Sequence, residues 1–526
     1  MLNIINFKQK KFTFLNFILV SLILLFTTCY GSTTSSSAIK KYSSVKEFIA
    51  DQKIIRVFAD NSPGYGNQTA SMNVMVRLRQ MGFKGTYEFI YSNLTTDKIT
   101  SLFGLPNNIP DIYNDENRNI RFIKIKPHIE RVLNNTIEMV PLGITGANDS
   151  GECSLATKDG VTNLDEYGPL CTDSANFFST KLFIEFDPYM GEQSLEHHEG
   201  TTFYTYNPSS SGKPSYPYQG DSYKKYFVMP VADLKQAITY LKIDPNGQTL
   251  IKERPALKTF IHGMKMHHFN VFPVYGYTVQ INSRCPECFP GNILQIITAA
   301  RYAQLHGKNN FYKPLIIPVF FDYQKEAEQI SQIINHNNWG DYETPGSEQA
   351  RAIINQLSLP QSFSIADVKD KETIQRIKQL RPGQVLLLSL GTLPKDVFDG
   401  LYTYTDSNIW PQIREGANSF NSLILTGRPH FRCLDNWEIG FDLIEDQSLK
   451  SHFENFYQKN GICDGMNTWQ ANNDIYKTLG EFIIDAANKN SSLSHYFEQL
   501  KTEAEKPEND RIYYALEEAV NLLNNS

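Results

Sequence analysis

Between residues 54 and 91 the chain reads IIRVFADNSPGYGNQTASMNVMVRLRQMGFKGTYEFIY. Ile54–Ala59 is a short apolar run with β-branched and aromatic residues, the composition of a buried strand. Residues 60–69 are dense in Gly, Pro and Asn, which makes them a loop. From Ala70 onward, Val74, Leu78 and Met81 recur at helical spacing, and Tyr87–Tyr91 is a second strand. A strand, loop, helix and strand in succession is the repeating unit of a parallel, doubly wound sheet, because the helix must cross one face to bring the next strand in parallel. In such sheets, ligands bind where a strand gives way to its loop. The glycine loop lies at that place.

The alternation resumes near residue 275. Ile293, Ile296, Ile297 and Ala300 form one helical stripe, residues 315–321 a buried strand, and Ala327, Ile330, Ile333 and Ile334 a second stripe. GQVLLLSLGT (383–392) is a strand that ends at Gly391 and Thr392, and PKDVFDGLYTYT is a short helix. WPQIREGANSF leads into a helix over Ser419–Leu425, and GRPHFRC is the next turn and strand. With 526 residues, 41% of them hydrophobic, the chain can build more than one core. The expected architecture is α/β: two Rossmann-like domains, residues 47–274 and 275–472, facing a cleft. A loop-rich insertion (140–225) sits in the first, and a helical tail follows (473–526), with Ile512, Leu516, Ala519 and Leu523 on one face.

Lys8, Lys10 and Lys11 precede an apolar run over residues 12–29, so residues 1–30 are expected to be a signal peptide or a signal anchor, followed by a polar linker (31–46). The chain is therefore expected to be secreted, or tethered to a membrane through residues 12–29. Outside that leader six cysteines remain, an even count that suits export and disulfides. Cys153 with Cys171 is the preferred pair, while Cys285 and Cys288 (CPEC), Cys433 and Cys463 leave other pairings open. A net charge of −6, with no basic run outside the N-terminus, gives no reason to expect a nucleic-acid partner. The histidine pairs in EHHE and MHHF lack zinc-protease spacing. Asn-x-Ser/Thr motifs such as NLT (93–95) matter only in a eukaryotic secretory route.

The segment Arg414–Ser419, REGANS, stands immediately before a helix. Asn418 and Ser419 are ordinary caps and Gly416 an ordinary turn residue, which is the simplest account. The same arrangement also suits an anion. Free N–H groups at a helix start point toward negative charge, each worth about 0.3–1 kcal/mol, and Arg414 adds a charge-assisted hydrogen bond. A diphosphate matches it, and Arg428 and His430 are expected near the same mouth.

Two Rossmann-like halves, a glycine loop after the first strand and a late polar turn, small-residue helix, Gly-x-Pro and strand resemble the GT-B glycosyltransferases. DNSPGYGNQ and REGANSF…TGRPHF are also similar, more distantly, to the Asp-Asn-x-Gly loop and Arg-x-Glu-Asp-Ser-Phe helix start of bacterial protein-arginine rhamnosyltransferases. Gly66 and Asn67 stand where that subfamily has a second aspartate. The resemblance implies that a nucleotide-sugar is the donor substrate, transferred as a hexosyl or deoxyhexosyl group to an acceptor that the sequence does not identify, with no other cofactor. It implies donor contacts at Gly64, Gly66, Asn67, Gly391, Thr392, Arg414, Gly416, Asn418 and Ser419. Asp60 is implied as general base and Glu415 as a catalytic carboxylate beside the sugar. No Asp-x-Asp occurs, so metal-independent transfer is expected, with leaving-group charge met by the helix and Arg414. The alternative is a secreted carbohydrate-binding protein of the same fold without turnover.

Overall fold

A computed structural model describes residues 41–525 apart from 60–65, 93–94, 147–178, 187–201, 206–228, 230, 277–288, 321–323, 415, 433–446, 448–450, 452–473 and 507–508. The leader, all seven cysteines, EHHE and the expected site residues Asp60, Gly64 and Glu415 lie outside the described residues. Within them, no helix is long and apolar enough to cross a membrane.

The first sheet has seven strands: β1 Ile54–Ala59, β2 Thr86–Tyr91, β3 Ile112–Asp115, β4 Ile120–Lys124, β5 Val140–Thr145, β6 Thr180–Glu185 and β7 Thr202–Thr205. Their order is β3-β4-β2-β1-β5-β6-β7. The five inner strands are parallel, and β3 and β7 close the edges antiparallel. From β1 the chain first winds outward through β2 and β4, then returns to place β5 and β6 on the other side. The winding therefore reverses between β1 and β5. The segment 140–225, expected as loops, contributes β5, β6 and β7 to this sheet.

β1 is buried along almost its whole length, as an inner parallel strand must be. Its one charged residue, Arg56, sits 2.8 Å from Glu88 on β2, each only 1% exposed. Arg121 and Arg131 reach the same carboxylate at 3.3 and 3.5 Å. Arg56 also donates to the carbonyls of Ser179 and Glu138. Burial alone would raise the Glu88 carboxyl, but Arg56 and Arg131 hold it below its ordinary value.

The second sheet contains β8 Asn270–Val271, β9 Leu315–Val319, β10 Phe363–Asp367 and β11 Val385–Ser389, parallel in the order β10-β11-β9-β8. β12 Gln412–Arg414 and β13 His430–Arg432 form a parallel pair. Val274, just past β8, bridges Ile413 of β12 on one side and Val319 of β9 on the other. The pair thus continues the sheet, and its winding reverses between β8 and β12. Helices Phe289–His306, Gln324–His336, Pro345–Gln356 and Ile475–Ala487 bury their apolar residues against one face. Helices Leu234–Ile243, Leu257–Lys265, Thr373–Gln379 and Lys395–Tyr402 do so on the other.

Two features revise the expected division of the chain. Residues 234–265 pack with Ile316, Leu386 and Leu388 in one core, so the second unit begins about forty residues before 275. Their polar, lysine-rich outer faces hide this membership from a linear reading. The tail also divides. Its first two helices, Ile475–Ala487 and Ser492–Ala504, belong to the second core, whereas Ile512, Leu516 and Ala519 of the last, Arg511–Asn525, join Ile55 and Leu142 in the first. Asp510 makes an ion pair with Arg77, and Asn524 exchanges two hydrogen bonds with the backbone of Tyr42.

Candidate functional site

Each sheet has one reversal point, and each of the two sequence motifs occupies one of them. At the first sheet, β1 ends at Ala59 and helix Gly66–Gln80 begins four residues earlier than its periodicity indicated. Gly66 and Asn67 are therefore first-turn residues and not loop. The residues that fix this end are Ser71 and Gly146, neither of which stood out in the sequence. The buried Ser71 hydroxyl donates to the Phe58 carbonyl at 3.1 Å and accepts from the Gly146 amide at 3.0 Å. It ties the end of β1 to the end of β5. A Cβ on Gly146 would stand 2.3 Å from the backbone of Ala70 and Ser71, so the helix start can approach β5 only because that residue is glycine. A glycine directly after a strand was the available signal.

At the second sheet, Arg414 is the last residue of β12 and helix Gly416–Ile424 begins two residues later. This helix too starts earlier than expected, and Gly416 and Asn418 lie in its first turn with Ser419 just behind, buried. Arg414 is 2% exposed. That burial excludes a guanidinium solvated at the surface. Its charge is felt by His430: burial first, then the Arg414 guanidinium, push the imidazole down to about 3. His430 is thus neutral at physiological pH, its ring packed 4.7 Å from that of Phe497.

Arg428 lies elsewhere. It precedes β13 and donates to the Asp406 carbonyl in the turn that leads into β12. Both belong to the amino edge of the sheet, opposite the mouth, because a strand intervenes between Arg428 and the carboxyl end. Gly391 and Thr392 do lie on the carboxyl edge, following β11. Arg254 holds them, donating to the carbonyls of Leu390 at 2.6 Å and Thr392 at 2.7 Å. Gly391 has φ +65°, in the left-handed region, directly against the Arg254 guanidinium. Since β9 and β8 separate β11 from β12, this loop stands about 14 Å from the Arg414 mouth, three strand spacings away. No single phosphate touches both.

Between these points stand four aromatic rings. Tyr275, immediately after Val274, lies 5.2 Å from Phe398 and 5.8 Å from Tyr402, while Phe398 and Tyr402 stack at 5.1 Å. Phe320, at the end of β9, packs 5.0 Å from Phe398. Tyr275 and Phe398 are half-buried. Their distance in the sequence concealed the cluster.

The helices that follow the two motifs touch. Helices Gly66–Gln80 and Gly416–Ile424, which spring from the two motifs, have Cα atoms within 8 Å of each other. The halves also meet where Gly104, left-handed at the end of helix Thr96–Phe103, backs onto Tyr240 and Pro394. Arg118 lies over the Tyr240 ring at 5.9 Å there. Among the described residues, no group of three or more His, Cys, Asp or Glu is gathered.

No protein-family model matches the sequence, and no curated protein matches it. Solved structures show a distant likeness. An α-glucosyltransferase in complex with UDP and a 13-mer DNA containing a HMU base is 10% identical, covers 90% of this chain and 99% of its own, and has a TM-score of 0.34. An α,α-trehalose-phosphate synthase (UDP-forming) from Burkholderia vietnamiensis is 8% identical over 86% of this chain and 98% of its own, with a TM-score of 0.27. At scores this low the architecture rests on the strand order and register described above.

Proposed function

We propose that this chain is a glycosyltransferase of GT-B architecture that moves a hexosyl or deoxyhexosyl group from a nucleoside-diphosphate donor to an acceptor without a metal ion. One observation supports the reading: each sheet reverses at a strand followed by a motif, and the helices that spring from those motifs, Gly66–Gln80 and Gly416–Ile424, touch each other. In this reading the diphosphate sits at the start of the second helix, where Gly416, Asn418 and Ser419 supply N–H groups and Arg414 a charge. A nucleoside diphosphate is also long enough to span the carboxyl edge. Its base would lie on Tyr275 and Phe398, with the Gly391–Thr392 loop on the far side of those rings.

Transfer breaks the bond between the anomeric carbon and the diphosphate, which leaves with the bonding pair. The acceptor heteroatom forms the new bond and gives its proton to Asp60. Charge grows on the diphosphate during this step, so a buried guanidinium beside it stabilises the transition state more than the ground state. Glu415 accepts from hydroxyls of the sugar.

Purified full-length protein offered UDP-, GDP- and TDP-sugars should slowly release the nucleoside diphosphate from one of them, and Arg414→Ala should slow the release by roughly 100-fold or more. Absence of both binding and hydrolysis across the panel would overturn the proposal.

A further inference from the structure

The sequence holds six Asn-x-Ser/Thr motifs, at Asn67, Asn93, Asn134, Asn148, Asn490 and Asn524. The motif alone makes all six equal acceptors of an N-linked glycan. The fold does not. Asn93 and Asn148 lie outside the described residues, and Asn67 is in the first turn of the helix at the first mouth. The remaining three are separated by their surroundings. We propose that Asn134 and Asn490 are N-glycan attachment sites, and that Asn524 is not.

Asn134 ends helix Ile125–Leu133 and is exposed, as are Asn135 and Thr136 after it. Asn135 adopts φ +51°, so the chain turns away from the helix at the motif itself. This helix carries the chain from the carboxyl end of β4 back toward the start of β5. Asn134 is therefore near the amino edge of the first sheet, and a glycan there leaves the mouth clear. Asn490 occupies the short connection between helices Ile475–Ala487 and Ser492–Ala504. Asn490 and Ser492 are exposed, while Ser491 between them turns inward to cap the second helix, its hydroxyl accepting from the Ser494 amide at 3.1 Å.

Asn524 is the contrasting case. Its Oδ1 accepts from the Tyr42 amide at 2.8 Å and its Nδ2 donates to the Tyr42 carbonyl at 2.9 Å. A sugar on that nitrogen would displace Tyr42 and undo the tie between the two ends of the described chain.

The reaction joins Nδ2 to the anomeric carbon of a lipid-diphosphate oligosaccharide in the secretory lumen. The lipid diphosphate departs with the bonding pair, and the amide loses one proton to base. The inference depends on export by the leader expected over residues 1–30, and it is independent of the transferase reading.

Full-length chain expressed in a eukaryotic secretory cell, then released from its glycans by a peptide amidase in heavy-oxygen water, reports each used site as a labelled aspartate. Peptides carrying Asn134 and Asn490 should be labelled and the Asn524 peptide should not. Asn134→Gln and Asn490→Gln should each remove one step of gel mobility shift, and Thr136→Ala should erase the Asn134 label with the asparagine still present. Unlabelled Asn134 or Asn490 in lumenal protein, label on Asn524, or a chain confined to the cytosol with residues 1–30 attached would each overturn the proposal.

Discussion

The carboxyl edges of the two sheets are built differently. At the first sheet, the position of the mouth is fixed by close backbone approach and short bonds: Ser71 bridges two strand ends and Gly146 touches the helix start. Beneath it lies a buried ionic knot of Arg56, Glu88 and their arginine neighbours. At the second sheet the core strand β11 is entirely apolar up to Ser389, and the loop beyond it is held by one long side chain, Arg254. A backbone contact cannot yield without moving a strand, whereas an arginine can swing. The difference assigns rigidity to the edge of the first sheet and adaptability to the β11 loop of the second.

The largest expected effect tests the ionic knot. Glu88→Leu alone strands the Arg56 charge in the core and should cost about 3–5 kcal/mol in urea unfolding, while Arg56→Met with Glu88→Leu should recover most of that loss. Equal destabilisation by the single and double variants would show that packing, not charge, dominates the first sheet. Next comes the donor mouth. Arg414→Ala should lower kcat/KM for donor turnover by roughly 100- to 1,000-fold, with Arg414→Lys only partly restoring it.

Gly146→Ala places a carbon against backbone and should cost about 3 kcal/mol, read from the thermal midpoint. His430 follows. Its folded pKa of about 3 lies below the ordinary value, so the unfolded chain alone takes up a proton as pH falls below about 6.5. Stability should therefore be full at neutral pH and decline toward pH 3, by about 2 kcal/mol between pH 7 and 5, a slope that His430→Asn should remove. Smallest is Gly391→Ala, expected at about 1 kcal/mol for its left-handed backbone, since the Arg254 head can retreat from the new methyl. A Gly391→Ala cost as large as that of Gly146→Ala would erase the contrast between the two carboxyl edges.

Much of this was legible along the chain, for reasons particular to each element. β1 and β11 are inner strands of parallel sheets, covered on both faces, and such strands must be continuous apolar runs. Helix Gln324–His336 shows its stripe because one side faces the core, whereas Phe289–His306 is buried on nearly every side. Segment 234–265 packs on the second sheet, which its sequence does not reveal because amphipathic helices announce that they cover something without saying which sheet. The same holds for the last helix, whose stripe of Ile512, Leu516 and Ala519 is plain but whose partner is the first core. Arg414 was legible as a helix-start arginine. Its burial, the aromatic cluster of Tyr275 and Phe398, and the staple of Ser71 and Gly146 were not.

Local periodicity and turn chemistry determined that the chain alternates strand and helix, that a loop follows β1, and that a helix begins near residue 416. These follow from forces acting within a few residues of each other. Tertiary structure decided where each sheet reverses, which sheet a helix covers, and that helices Gly66–Gln80 and Gly416–Ile424 touch. Those outcomes depend on contacts between residues hundreds of positions apart, whose free energy is set by shape and burial and leaves no period in the sequence.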